Sequence, residues 1–248
     1  MKLAITGKGG VGKTTVSALI ARFALGRGNR VVAIDADPDA NLAPTLGHPD
    51  PSAIIPLSER RALIEERVGS GGVIRLNPKV DDLVATVGVD VDGITLMNLG
   101  TIPRGGGGCF CAPSSLLKAF LRHALSQPDE WVILDMEAGL EHLGRGSSSG
   151  VDLLVIVVEP TARSTETAGR IRLLARDLGI VRIGLVANKA DTAEELDAIR
   201  AAVPGVPLLG AIPRSAALAA FNARVSLEKL EPQVREAVAS LYDSLVSA

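Results

Sequence analysis

Gly7-Lys8-Gly9-Gly10-Val11-Gly12-Lys13-Thr14-Thr15 fits the pattern G-x-x-x-x-G-K-[ST]. It follows a short apolar run and opens a helical one, the context in which such a loop cradles phosphate. Its glycines let backbone N–H groups turn inward around phosphate oxygens, and the positive end of the following helix adds to them. In that role Gly9, Gly10, Val11, Gly12, Lys13, Thr14 and Thr15 line the phosphates. Lys13 reaches the β- and γ-phosphates, and the Thr14 hydroxyl enters the Mg²⁺ shell.

Working outward, short apolar runs recur at 2–6, 30–35, 94–98, 131–135, 153–158, 182–188 and 207–212. Most are continuously apolar rather than alternating, as strands covered on both faces are. Helical patterns lie between them at 14–26, 58–68, 114–125, 165–178, 193–202 and 232–246. Alternating β and α units imply an α/β fold with a mainly parallel twisted sheet flanked by helices. The glycine-rich stretches 69–72 and 105–108 read as flexible loops that do not divide two composition regimes, so residues 1–248 are expected to form one domain.

The 248 residues are 47% hydrophobic and 22% charged, enough apolar material for a sizeable core and too much for a disordered chain. Aromatic residues make up 2%, so that core is aliphatic. Lys+Arg 26 against Asp+Glu 28 gives a formal charge of −2, which argues against binding nucleic acid through overall charge. The apolar run 153–158 is far short of the roughly 20 residues a membrane span needs. Met1-Lys2 leads into a strand rather than a targeting peptide. Two cysteines do not make a disulfide scaffold and suit a reducing compartment. A cytoplasmic protein is expected.

Carboxylates follow two of the apolar runs. Asp35-Ala36-Asp37-Pro38-Asp39 comes after the second, and Asp135-Met136-Glu137-Ala138-Gly139 after the fourth. Asn188-Lys189-Ala190-Asp191 after the sixth reads literally as N-K-x-D, the guanine-specifying sequence of GTPases, which keeps a nickel-handling GTPase open as an alternative. Both cysteines stand in Cys109-Phe110-Cys111. In an extended loop the period of two points their sulfurs to one side. Two thiolates do not close a tetrahedral site, whereas a two-fold dimer supplies four, two from each subunit. Two small buried residues, or an oxidation-prone pair, are the plainer readings.

With Lys8, the loop resembles the deviant phosphate loop K-G-G-x-G-K-[ST] of the MinD, ParA, arsenical-pump and nitrogenase iron-protein ATPases. The resemblance implies that Lys8 crosses a dimer interface to the partner's nucleotide, supplying transition-state charge as an arginine finger does. It implies that Asp37 orients the attacking water, that Asp35 and Asp135 support Mg²⁺, and that Asn188, Pro213 and Arg214 lie on the base side, with ATP or ADP as the nucleotide. Glu137 stands where many of these proteins have proline. Together with D-A-D-P-D, the C-x-C after a glycine run and Asp135-Met136-Glu137-Ala138-Gly139-Leu140-Glu141-His142-Leu143-Gly144-Arg145-Gly146, the chain is similar to the CooC family. Those ATPases assist nickel insertion into carbon monoxide dehydrogenase, and a related branch serves acetyl-CoA synthase. The resemblance implies an ATP-hydrolysing metallochaperone: a homodimer controlled by nucleotide and metal, with Ni²⁺, or Zn²⁺ in its place, on Cys109 and Cys111. Glu137, Glu141, His142 and Arg145 receive no role. A MinD- or ParA-like regulatory ATPase is the other reading, but the chain has neither the Lys/Arg run of a DNA-binding surface nor a basic amphipathic tail for anionic lipid. The cluster cysteines of a nitrogenase-like reductase stand far apart in sequence, and these do not.

Overall fold

The computed structural model describes residues 1–69, 75–101, 112–140, 143, 148–219 and 227–248. Its strands are β1 (Lys2–Gly7), β2 (Arg30–Ala36), β3 (Val89–Val91), β4 (Ile94–Asn98), β5 (Glu130–Met136), β6 (Leu153–Val158), β7 (Ile183–Asn188) and β8 (Leu208–Ile212). They form one sheet in the order β3-β4-β2-β5-β1-β6-β7-β8. Every neighbouring pair is parallel except β3 and β4, which run antiparallel at one edge.

The continuous apolar runs have a simple cause. Side chains alternate across the sheet, and each face meets its own core. Val32, Ile34, Ala4, Leu154 and Ile156 enter one core, whereas Val31, Ala33, Leu3, Ile5, Val155 and Val157 enter the other. The first core is closed by α3 (Arg61–Val68), α5 (Ala112–Ala124), α6 (Ala162–Asp177) and α7 (Ala193–Ala202). The second is closed by α1 (Lys13–Gly26) and α9 (Pro232–Ser247), joined by the short α2 (Leu42–Leu46). Tyr242 of α9 stacks on Trp131 with ring centroids 4.9 Å apart, and Phe120 is fully buried in the first core, within a largely aliphatic interior.

Several elements differ from the sequence reading. The helix expected over 58–68 begins at Arg61, because residues 57–59 form a 3₁₀ turn first. Strand β3 and the short helices α2, α4 (Leu83–Val87) and α8 (Ala216–Ala219) carry too few residues for a hydrophobic period to show. Of the loop expected at 69–72 only Gly69, which follows α3, is described; 70–72 and the loop expected at 105–108 lie outside the described residues.

Candidate functional site

Parallel strands gather their carboxyl ends on one edge, and that is where open α/β sheets bind ligands. The phosphate-loop motif leaves the end of β1, Asp35 and Asp37 follow β2, Asp135 lies at the end of β5, Asn188 closes β7 and Pro213 follows β8. The structure therefore brings together, on one edge, the sequence-assigned residues that it describes.

Two glycines set the loop's path. Gly7 has φ +150°, and a Cβ there would sit 2.4 Å from the Val157 carbonyl oxygen. Gly12 has φ +89°, a left-handed turn that launches α1, and its Cβ would sit 2.3 Å from Asn188 Nδ2. That amide donates to the Val11 carbonyl at 2.7 Å, so Asn188 is stitched to the loop. Lys189 Nζ donates to the Gly10 carbonyl at 3.1 Å and pairs with Glu159 at 2.5 Å. Lys13 is buried, while Lys8, Thr14 and Thr15 are half-buried and Gly9 is exposed at the loop's crest.

Asp35 and Asp135 are register partners on β2 and β5. Both are buried, and burial pushes both acids up, Asp35 to about 7 and Asp135 to about 6. For Asp35 the Asp135 charge adds to burial, and the Leu42 and Asp37 N–H groups oppose it. For Asp135 the hydroxyls of Thr14 and Ser17 and the charge of Lys13 pull back. Their remaining bonds differ. Asp35 accepts from Asp37 N–H at 3.1 Å on Oδ1 and from Leu42 N–H at 2.9 Å on Oδ2, so it shapes the loop that carries Asp37. Asp135 Oδ1 accepts from Ser17 Oγ at 3.0 Å, while its buried Oδ2 takes no hydrogen bond at ordinary distance among the described residues. A buried, unpartnered carboxylate oxygen beside a second carboxylate and the Thr14 hydroxyl is a donor set that fits Mg²⁺, a hard cation that prefers oxygen. Asp37 is half-buried, its Oδ1 accepting from Asp39 N–H at 3.0 Å.

Three contributors escaped the sequence reading. Ser17 is one helical turn beyond Thr14, and that i, i+3 spacing was the available signal. Thr6, a hydroxyl inside an apolar strand, donates to the carbonyls of Glu137 at 3.0 Å and Gly139 at 3.1 Å, tying the segment after β5 to β1. Glu195, which meets Arg214 at 2.9 Å, was legible only as the acidic end of a Thr192-x-x-Glu195 capping box and not as a partner of Arg214.

Beside the loop, a cavity of about 450 Å³ is lined by Gly10, Gly12, Asn188, Lys189, Pro213 and Arg214 among others. A larger one, about 580 Å³, opens near Arg172, Arg176 and Arg182 at the amino edge of β6–β8, away from every motif residue. The chemistry favours the smaller, which adjoins the phosphate loop. Cys109, Cys111, Glu141, His142 and Arg145 lie outside the described residues, among which no group of three or more His, Cys, Asp or Glu could hold a metal ion. Glu137 is described, and its carbonyl takes the Thr6 bond. Among the described residues no helix is long and apolar enough to cross a membrane.

Comparison with known proteins agrees with this geometry. Residues 2–227 match the family model of the CobQ/CobB/MinD/ParA nucleotide-binding domain. The chain is 45% identical to the carbon monoxide dehydrogenase accessory protein CooC of Rhodospirillum rubrum, over 99% of this chain and 96% of that one. It is 46% identical to an uncharacterized ATP-binding protein of Methanocaldococcus jannaschii, over 86% and 85% of the two chains. Among solved structures, a chain of the MinC:MinD cell division protein complex of Aquifex aeolicus resembles it with TM-score 0.73 at 20% identity, covering 100% of this chain and 96% of that chain. That last likeness bears on the fold alone.

Proposed function

The chain belongs to the CobQ/CobB/MinD/ParA nucleotide-binding family, and from that premise we propose that it is an ATP-hydrolysing metallochaperone. It assists nickel insertion into carbon monoxide dehydrogenase, or into the related acetyl-CoA synthase, as a homodimer whose closure nucleotide and metal control. The observation that carries this reading is the near full-length likeness to the CooC accessory protein. The chain works as one ATPase domain in the cytoplasm, with neither nucleic acid nor membrane as partner.

Within one subunit, the loop N–H groups from Gly9 to Thr15 and the Lys13 ammonium hold the triphosphate. Thr14, Asp135 and, through water, Asp35 would hold Mg²⁺, which would supply positive charge to the triphosphate as it is cleaved. Asp37 orients the attacking water. Asn188, Pro213 and Arg214 wall the base. Lys8 acts on the partner's nucleotide, so hydrolysis waits for closure. Cys109 and Cys111 from both subunits take the cargo ion as thiolates, which accept nickel or zinc alike. Hydrolysis resets the dimer once the ion has passed to the client.

The reading is tested by restoring nickel-free carbon monoxide dehydrogenase with Ni²⁺, ATP and this protein at limiting metal. Recovery of activity should need all three and should vanish with Lys13→Ala. Recovery at the same rate without ATP would contradict it, and recovery of acetyl-CoA synthase alone would assign the other client.

A further inference from the structure

The guanine-type motif Asn188-Lys189-Ala190-Asp191 is only partly used by the site as described. Its first two residues border the cavity and fasten to the phosphate loop, Asn188 through Val11 and Lys189 through Gly10. Asp191, the residue that would read guanine, is not among those lining the cavity. Its Oδ1 accepts the Arg214 backbone N–H at 2.8 Å, and its Oδ2 accepts from Arg214 Nη1 at 2.5 Å. The other arm of the guanidinium, Nη2, meets Glu195 Oε1 at 2.9 Å. Glu195 is itself fixed: its Oε2 accepts from Asp191 N–H at 2.7 Å, and it completes a capping box with Thr192 at the start of α7. Two carboxylates and one guanidinium thus form a closed clamp. Arg214 forms part of the cavity wall while Asp191 stands behind it.

We infer that Arg214 determines base specificity by holding Asp191 out of the cavity, so that a guanine-type motif accepts adenine. This rests on reading the cavity as the base site of an ATPase. The chemistry is a matter of donors and acceptors. Guanine offers N1–H and the 2-amino group along one edge, and a free carboxylate accepts both. Adenine has an acceptor, N1, and no N–H at the corresponding place, so a free carboxylate there faces another lone pair. Clamping Asp191 removes guanine's two bonds and adenine's repulsion together. Specificity then comes as much from the withheld group as from the contacts made.

The test is binding of ribose-labelled fluorescent ATP, GTP and xanthosine triphosphate, with Mg²⁺, to the full-length protein and three variants. Wild type should prefer ATP. In Arg214→Ala the ratio of GTP to ATP affinity should rise by about tenfold or more, the size of one good carboxylate–base pairing. Arg214→Ala/Asp191→Asn should lose that gain and favour xanthosine triphosphate, because an amide donates to the oxygen that replaces guanine's amine. Asp191→Asn alone, which keeps the arginine, should leave the wild-type preference within about twofold, and it reports even where Arg214→Ala fails to fold. An unchanged ratio in folded Arg214→Ala, or a large shift in Asp191→Asn alone, would overturn the inference while leaving the ATPase reading intact. A wild type that binds none of the three nucleotides would overturn that reading and the inference with it.

Discussion

Asp135 concentrates the conflict between stability and use. It is buried, its acid is pushed up to about 6, Asp35 is its strand neighbour, and one of its oxygens takes no hydrogen bond at ordinary distance among the described residues. Such a group destabilises the empty protein and suits a cation. Asp135→Asn should therefore raise the stability of the nucleotide-free protein by about 1–2 kcal/mol, seen as a melting temperature a few degrees higher. The same variant should lose about a hundredfold or more in Mg²⁺-dependent turnover. A lower melting temperature with unchanged turnover would contradict both assignments. At Glu195 the sign is opposite. Hydrogen bonds from Arg214, first of all, and from the Asp191 N–H hold its acid down at about 2. A depressed carboxyl stabilises the fold at pH above its ordinary value of 4.5, and that contribution fades as pH falls toward about 2. The group is half-buried and its partner Arg214 is exposed, so salt should weaken the effect. Carboxyl NMR should show Glu195 still ionised at about pH 3.5 in wild type and titrating near its ordinary value in Arg214→Ala. A wild-type midpoint at the ordinary value would mean that the clamp does not hold in solution.

Among the elements, the phosphate loop and α1 depend on one left-handed residue. Gly10 and Gly12 both have positive φ, +82° and +89°, yet only Gly12 is crowded, by the Asn188 amide. Alanine at Gly10 should cost about 1–2 kcal/mol in backbone strain alone. Alanine at Gly12 should add displacement of the buried Asn188 from Val11, for a total of about 3 kcal/mol. Chemical denaturation of the two variants checks the order, and equal losses would mean that Asn188 does not brace the loop. The same physics explains how much could be read from the chain. Strands β4 and β6 begin and end where their apolar runs do, and α7 where its period does, because burial on a face fixes the pattern. The motif residues were visible because phosphate and cation chemistry demand particular side chains at fixed spacing. The short α2, α4 and β3 were not, since tertiary packing rather than local pattern forms them. Nor were Ser17, Thr6 and Glu195, whose partners are 118, 131 and 19 positions away in the chain.

Across the molecule, one sheet edge collects the motif residues that the structure describes. Leu99, just beyond β4, donates its N–H to the Asp35 carbonyl at 2.9 Å and accepts at its own carbonyl from Ser58 N–H at 3.0 Å. The first bond ties the end of β4 to the strand end that precedes Asp37, and α5 packs against α3. The proposed dimer rests on a count of thiolates: one chain has two, and a closed tetrahedral site takes four. The most direct measurement is nickel bound per chain at saturation, by equilibrium dialysis, with the assembly state followed by sedimentation in the same samples. The account predicts one nickel per two chains, dimerisation driven by metal without nucleotide, weaker binding at low pH as the thiolates protonate, and collapse of affinity when either cysteine becomes alanine. One tightly held nickel per monomer, undiminished in Cys109→Ala/Cys111→Ala, would contradict it.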